Sequence, residues 1–299
     1  MIRLSHRASI FFLLIFAAAS GCAPKLATLP SGPGTPAPNY ADAYSQATAD
    51  CRGVRTLSAS LGLSGRAGDT PLRGRIDAGF ASPGQIRLEG SPPMAFGRPV
   101  FILVGGESRA TLLLPRVKHV LTDAPADAII EKLAGVALSA DELRAVVSGC
   151  GFGVVEPLDG RGYSDGWIAV NTAEGASWLR NRNGEWRLSA VVRGTLEIRY
   201  EEFASQFPSR IRIRTTPSSS ANPTSIVLNV SDLEANIALG PEVFRVEIPD
   251  DAVPITLEEL SRALSREKSE PRSSSPEPRS STLRRRAPGG RLFSGAGPQ

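Results

Sequence analysis

Apolar and polar residues alternate along most of this chain, and the alternation predicts a protein built mainly from β-strands. Residues 57–64 switch between apolar and small side chains, and similar runs continue to about residue 120. A period of two gives each strand one apolar face and one polar face. The alternation returns from Trp178 to residues 244–248, and Asn183-Gly184 predicts a hairpin turn within it.

Three short segments have helical spacing instead. Residues 40–54 carry apolar side chains at steps of three or four, preceded by Asn39 as a candidate cap. Residues 125–133 form a second apolar stripe, and residues 139–149 combine a capping box with a terminal glycine. The predicted order is helix, five strands, two helices and about six strands. This order favours an α+β fold, a strongly curved antiparallel sheet covered by about three short helices.

The first residues are typical of a secretory signal. Arg3 and Arg7 precede an apolar run at residues 10–19 that is too short to span a bilayer. Small residues and Cys22 follow, and this arrangement resembles the bacterial lipobox. The resemblance implies cleavage before Cys22 and a diacylglyceryl group on its sulfur. The alternative is ordinary secretion with a free cysteine.

The lipobox and the changes in composition along the chain predict a division into four parts. Residues 1–21 are the signal peptide, 22–39 a Pro-rich tether, 40–262 the folded domain and 263–299 a disordered basic tail. The tether, if extended, reaches on the order of 50 Å. Ala23, where a retention signal has Asp, implies by the same resemblance an outer-membrane lipoprotein that faces the periplasm.

Composition fits a globular protein and argues against nucleic-acid binding. The chain has 299 residues, 41% hydrophobic and 21% charged, with a formal net charge of +4. The tail carries +5 and the signal +2, so the remainder is slightly acidic at −3. An acidic body is a poor ligand for a polyanion.

Cys51 and Cys150 remain as a pair once Cys22 is set aside. In an oxidising compartment the two can form a disulfide. Two buried free thiols are the alternative, since cysteine is a common core residue.

The chain has no recognisable catalytic or metal-binding motif. Its histidines are His6, in the signal, and His119, and no cluster has metal-ligand spacing. A nucleophile elbow and a P-loop are also absent from the sequence. We therefore predict no enzymatic activity, no metal and no cofactor.

The loop at residues 91–99 carries large apolar side chains on a stiff, Pro-rich frame. The large apolar side chains are those of Met94 and Phe96. Apolar residues on a rigid loop tip favour contact with a partner or a lipid. The alternative is a loop that folds back onto the core.

Residues 85–151 resemble the lipoprotein carriers of the LolA/LolB superfamily, and LolB-like outer-membrane receptors in particular. The similar features are a strand, a Pro-containing apolar loop, two strands, the helix at 129–135 and a second helix at 143–148 that ends in glycine. The resemblance implies a half-open, incomplete β-barrel closed by helices, with an apolar cavity for acyl chains. It places Met94 or Phe96 where a receptor carries a membrane-directed leucine.

Twelve apolar residues on the predicted inner faces are candidates to line such a cavity, although core packing is the simpler interpretation of any one of them. They are Leu61, Leu63, Ile76, Phe80, Ile86, Leu88, Phe101, Leu103, Ile129, Leu133, Leu143 and Val147.

The leading hypothesis is a monomeric, lipid-anchored protein that binds acyl chains in an apolar cavity and helps to receive or insert lipoproteins at the outer membrane. Its expected partners are acyl chains or client lipoproteins and a periplasmic LolA-like carrier. A structural or scaffolding lipoprotein and a lipid-sensing regulator of the same fold are the alternatives. A roomy apolar cavity favours the carrier and the sensor, whereas a packed interior favours the scaffold.

Overall fold

The computed structural model describes residues 28–92, 99–106, 108–216 and 222–269. Within these ranges a single sheet of fifteen strands forms the body of the protein. The strands are β1 (Thr35–Pro36), β2 (Thr56–Ala67), β3 (Thr70–Ala81), β4 (Gln85–Ser91), β5 (Phe101–Gly105), β6 (Ala110–Leu114), β7 (His119–Ala124), β8 (Pro157–Tyr163), β9 (Trp167–Thr172), β10 (Gly175–Arg182), β11 (Glu185–Arg193), β12 (Leu196–Ala204), β13 (Phe207–Thr215), β14 (Ser225–Ala235) and β15 (Val253–Pro254).

The sheet is open and almost wholly antiparallel, as the alternation predicts. Its order is β1-β8-β9-β10-β11-β12-β13-β14-β2-β3-β4-β5-β6-β7-β15, so β1 and β15 are its two edges. Only β15, which pairs with β7, runs parallel to its neighbour among the described strands. The longest pairing joins β2 to β3 at the middle of the sheet. A curved, unclosed sheet with few helices is confirmed.

The helices are more numerous than predicted. The described residues contain α1 (Tyr40–Ala47), α2 (Ala49–Arg52), α3 (Ala126–Ala134), α4 (Ala140–Ser148), α5 (Leu257–Ser269) and a 3₁₀ turn at Pro241–Phe244. The single helix predicted over residues 40–54 is wrong in detail, because the chain breaks at Thr48 into α1 and α2. Asn39 precedes α1 but makes no side-chain cap hydrogen bond. The capping box of α4, Ser139 with Glu142, is confirmed.

The second half of the sheet also differs from the prediction. The hairpin turn at Asn183-Gly184 is confirmed between β10 and β11. A strand over residues 244–248 is wrong, since that segment follows the 3₁₀ turn without joining the sheet. Strands β8 and β9, which the alternation does not predict, extend the sheet beyond β10.

The helices α1, α3 and α4 lie on one face of the sheet, which we call the inner face. Helix α1 covers β8–β11, α3 covers β2 and β6, and α4 covers β3, β4 and β13. The alternation therefore turns the apolar side chains of the strands toward the helices and leaves the polar side chains on the opposite, outer face.

Candidate functional site

Two apolar clusters fill the space between the inner face and the helices. The first cluster joins β2–β7 to α3, α4 and the start of α5, and the second joins α1 and α4 to β9–β14. Seven of the twelve predicted cavity residues are buried in the first cluster: Leu61, Phe80, Ile86, Leu88, Leu103, Ile129 and Val147. The other five are partly buried, with Ile76, Phe101, Leu133 and Leu143 against the first cluster and Leu63 against the second.

The two clusters meet along a seam. Ala134 of α3, Leu143 of α4 and Val230 of β14 contact both clusters. The seam therefore runs beneath the two helices that follow one another in the chain. Any opening of the helical layer at this point exposes apolar surface from both clusters.

A cleft of about 400 Å³ lies at the carboxyl end of α3, where Leu133 and Gly135 flank the seam residue Ala134 in the chain. It separates the carboxyl end of α3 from the ends of β2, β3, β13 and β14. Leu133 is the predicted cavity residue that faces this cleft, and the rim is mostly small and polar: Ala67, Gly68, Thr70, Lys132, Gly135, Thr195, Thr215, Thr216, Asn222 and Thr224.

Gly135 ends α3 at the cleft in the left-handed region, with a φ of 70°. A side chain there would also collide, because a Cβ built on Gly135 falls 2.7 Å from the hydroxyl of Thr224. The Thr224 hydroxyl donates to the Gly135 carbonyl over 3.5 Å. This contact is at the limit of a hydrogen bond, so the sheet holds the end of α3 only weakly through polar groups.

Helix α3 is otherwise attached by apolar packing. Ala126, Ile129 and Ile130 are buried, whereas Pro125 at its start supplies no side-chain cap. Among the described residues, no ion pair links α3 to the rest of the protein. Its position therefore depends on the apolar interface beneath it.

Helix α4, by contrast, is held by charged and polar groups. Arg144 of α4 donates to the carbonyl oxygen of Val54, and Arg193 of β11 pairs with Glu142. The carboxyl end of α4 is also fixed, as the buried Tyr200 hydroxyl donates to the Val146 carbonyl over 3.2 Å.

The Tyr200 hydroxyl also bonds to the segment that follows α4. Its oxygen accepts the backbone N–H of Gly151 at 2.9 Å, and burial raises the pKa of the phenol far above its ordinary value. The neutral hydroxyl therefore serves as both donor and acceptor. Of the two neighbouring helices, α4 is attached by polar groups as well as by packing, whereas α3 is attached mainly by apolar packing.

The C-terminal segment covers the other edge of the first cluster. The Val253 and Ile255 N–H groups donate to the carbonyl oxygens of Lys118 and Val120 at 2.7 and 2.8 Å. Leu260 of α5 is buried in the first cluster, and α5 contacts α3. Helix α5 continues past residue 263, where the sequence predicts the start of the tail.

Cys51 and Cys150 form a disulfide, with their Cα atoms 5.6 Å apart. Both are buried and form a small cluster with Ala145 of α4. Cys22, Met94 and Phe96 lie outside the described residues, so lipidation of Cys22 and the role of the loop stay predictions. In the described part of the chain there is no cluster of metal-ligating side chains and no helix long and apolar enough to cross a membrane.

Sequence reasoning missed the polar residues of the cleft and the outer-face arginines. Thr224 gives no signal in a local pattern, because its partner Gly135 is far away in the chain. Arg210, Arg212 and Arg214 alternate with apolar residues in the sequence, and in the structure they meet Glu197 and Glu201 of β12 on the outer face. That pairing was not predictable without the strand register.

Glu201 is the centre of one of these outer-face groups. Its two carboxylate oxygens accept from Arg212 at 2.5 Å and from Arg210 at 2.8 Å. Burial alone would raise the pKa of this carboxyl, but the two arginines outweigh burial and lower the pKa below its ordinary value. A lowered folded-state pKa means that the ion pairs stabilise the fold above the unfolded-state pKa of about 4.3.

We expect Glu201→Gln to reduce the dependence of stability on pH. In the natural protein the contribution of Glu201 is lost as pH falls through its lowered folded-state pKa, whereas the amide of the variant has no proton to bind. Urea unfolding from about pH 7 to about pH 3 measures the free energy of unfolding. Glu202→Gln, at an exposed neighbouring position, is the matched control. Parallel pH profiles for Glu201→Gln and the natural protein would contradict the prediction.

No protein-family model matches this chain, and no curated protein is similar to it in sequence. Solved structures with a similar fold include a LolA superfamily protein of Nitrosomonas europaea, 12% identical, covering 69% of this chain and 96% of that one with a TM-score of 0.44. A domain of Vibrio parahaemolyticus described as an outer membrane lipoprotein-sorting protein is 10% identical and covers 68% and 94%, with a TM-score of 0.42. A DUF1329 family protein of Desulfovibrio piger is 11% identical and covers 68% and 96%, with a TM-score of 0.40. Because these scores are low, the likenesses do not establish a family or a function, and none of the three is described as a LolB receptor.

Proposed function

We propose that this protein is a non-enzymatic, lipid-anchored protein of the bacterial envelope that takes up acyl chains between helix α3 and the sheet. In this proposal it faces the periplasm from the outer membrane and helps to receive or insert lipoproteins there. The observation that supports it most is the cleft lined by Leu133 and Gly135, which flank the seam residue Ala134 in the chain.

The energetics of opening are compatible with this role. Displacing α3 exposes Ile129 and Ile130 and part of Leu133, at a cost of roughly 1.5–3 kcal/mol for each fully exposed side chain. A buried methylene contributes about 0.8 kcal/mol, so roughly ten methylenes of an acyl chain offset that cost. Since α3 makes no ion pair in the described part of the chain, this apolar packing and the contacts with α5 are the main resistance to its movement.

Native mass spectrometry tests the proposal directly. The mature chain, residues 22–299, with Cys22→Ala has no acyl group of its own and is mixed with a diacylglyceryl-cysteine peptide. We expect an adduct of one peptide per protein. Leu133→Glu places a charge beside the seam and is expected to weaken the adduct by at least about tenfold.

Leu158→Glu is the matched control, because Leu158 is 62% exposed and lies on β8, away from the cleft. This variant is expected to retain the adduct, and thermal unfolding checks that both variants are folded. Either a natural protein without an adduct or a Leu133→Glu variant that binds equally well would overturn the proposal.

The scaffolding function is the second candidate, and the packing of the interior favours it. Seven of the predicted cavity residues are buried among other side chains of the first cluster. A protein that keeps α3 closed has no room for an acyl chain. A stable, folded protein without peptide adduct is the result that this candidate predicts.

A further inference from the structure

The last part of the predicted tether is attached to the sheet. Thr35 and Pro36 pair with Gly162 and Arg161 of β8, and the Ala37 N–H donates to the Gly160 carbonyl at 3.1 Å. Closer to the N-terminus, the Tyr163 hydroxyl donates to the carbonyl of Gly32 over 3.3 Å.

Gly34 shows how closely the tether approaches Tyr163. A Cβ built on Gly34 falls 2.8 Å from the tyrosine ring, and φ at this residue is 62°. Glycine is therefore required at this position both for the backbone conformation and for the close approach. The contact fixes the path of the chain over the β8 edge.

The attachment shortens the free part of the tether. Gly32, the first tether residue with a contact to the body, comes ten positions after Cys22. Fully extended, ten residues span about 35 Å. A membrane anchor at Cys22 therefore keeps the β8 edge of the body closer to the lipid headgroups than the distance of about 50 Å that a free tether would allow.

The outer face at this edge carries aromatic rings with arginines around them. The rings of Tyr163 and Trp178 lie 5.3 Å apart, and the guanidinium of Arg180 lies 5.2 Å from the ring centre of Trp167. Trp178 and Tyr163 are partly exposed, and Arg161 is exposed between them and the tether. Aromatic rings with arginines are suited to a membrane interface, where one part of the side chain is apolar and the other is hydrated.

A row of cross-strand neighbours that includes four arginines continues from this edge across the outer face. Residues that are neighbours across successive strands connect Arg161 and Trp178 to Arg199, Arg212 and Arg73. No carboxylate lies in this row, although carboxylates of the adjacent rows pair with some of its arginines. Because these carboxylates offset the charges of Arg199 and Arg212, the positive charge that can meet an anionic surface lies at the β8 edge, on Arg161 and Arg180.

We propose that the outer face around Trp178, Tyr163, Arg161 and Arg180 docks on the membrane in which Cys22 is anchored. This inference rests on the lipidation of Cys22 in the proposed function, but it does not depend on acyl-chain uptake. The short tether brings the face to the bilayer, the aromatic rings enter the headgroup region and the arginines contact anionic headgroups. Docking would leave the inner face and the cleft beside α3 directed away from that membrane.

Fluorescence quenching by brominated lipids tests docking. The mature lipidated protein, residues 22–299, is reconstituted into vesicles of phosphatidylethanolamine and phosphatidylglycerol that contain a brominated phosphatidylcholine. We expect the lipid to quench tryptophan emission, and we expect Trp178→Phe to remove most of the quenching. Trp186→Phe is the matched control, since Trp186 packs against the second cluster on the inner face.

Charge reversal tests the role of the arginine. Arg161→Glu is expected to lower the ratio of docked to undocked protein by about fivefold or more in anionic vesicles. We expect a smaller effect in vesicles of phosphatidylcholine alone. Arg55→Glu makes the same charge change at an exposed position before β2 and is expected to have little effect.

Several outcomes would overturn docking. These are quenching that is absent, quenching that survives Trp178→Phe, and equal effects of Arg161→Glu and Arg55→Glu. A second copy of the chain on this face, detected as a dimer by sedimentation in detergent, would also overturn docking. Failure of the protein to acquire a lipid at Cys22, seen as a missing mass of the acyl groups, instead refutes the anchoring on which the proposal rests, and loss of peptide uptake at Leu133 refutes only the carrier function.

Discussion

Replacing Cys51 and Cys150 together by alanine is expected to lower the free energy of unfolding by about 3–5 kcal/mol. The two residues are separated by 99 positions in the chain, so the disulfide closes a long loop. Such a cross-link reduces the entropy of the unfolded chain more than a short one does. Because both cysteines are buried beside Ala145, the alanines also leave a small gap in the packing.

Urea unfolding of the natural protein and of the Cys51→Ala/Cys150→Ala variant measures this difference. A reductant supplies the control, because it should bring the natural protein close to the variant and leave the variant unchanged. Equal stability of the two proteins under oxidising conditions would contradict the prediction. Since the disulfide lies at the end of α4, the variant also tests whether that helix stays in place without it.

The sequence predicts the strands that have one covered face and one exposed face. Strands β2 and β3 are of this kind, and their alternation is read directly from the chain. Strands β8 and β9 do not show this alternation in the sequence. Gly160 and Gly162 have no side chain to show a face, and the four residues Trp167–Val170 are all buried, so the period of two disappears.

The false strand at residues 244–248 shows the opposite case. Phe244 is buried and its neighbours alternate in exposure, but the carbonyl groups of this segment find another partner. The Arg87 guanidinium donates to the carbonyl oxygens of Val243 and Arg245 at 3.2 and 3.3 Å. A side chain from a distant strand satisfies the backbone here, and a local pattern does not contain that information.

Only the apolar residues of the candidate site were predictable from the sequence. The inner-face positions of Leu103 and Ile129 follow from periodicity, and both are buried as that periodicity implies. The stronger attachment of α4 depends on Arg144, Arg193 and the disulfide, whose partners are brought together by the fold. The docking of the tether on β8 depends in the same way on a strand that the sequence did not reveal.

Replacing Phe80 by alanine is expected to lower the free energy of unfolding by about 3–5 kcal/mol. Phe80 is 1% exposed and lies between Leu57 and Ile86, its neighbours on β2 and β4, which are fully buried. Removing the ring therefore leaves a cavity that rigid strands on both sides cannot fill. Phe101→Ala, at a partly buried position against the same cluster, is the control and should cost less.

The response of the Phe80→Ala variant to the lipidated peptide also distinguishes the two functions considered above. In the closely packed interior the loss combines the transfer of the ring to water with the energy of the new cavity. Urea unfolding with and without the diacylglyceryl-cysteine peptide separates these cases. A carrier should gain stability from the peptide, and the Phe80→Ala variant should gain more than the natural protein because an acyl chain can fill the space that the ring leaves.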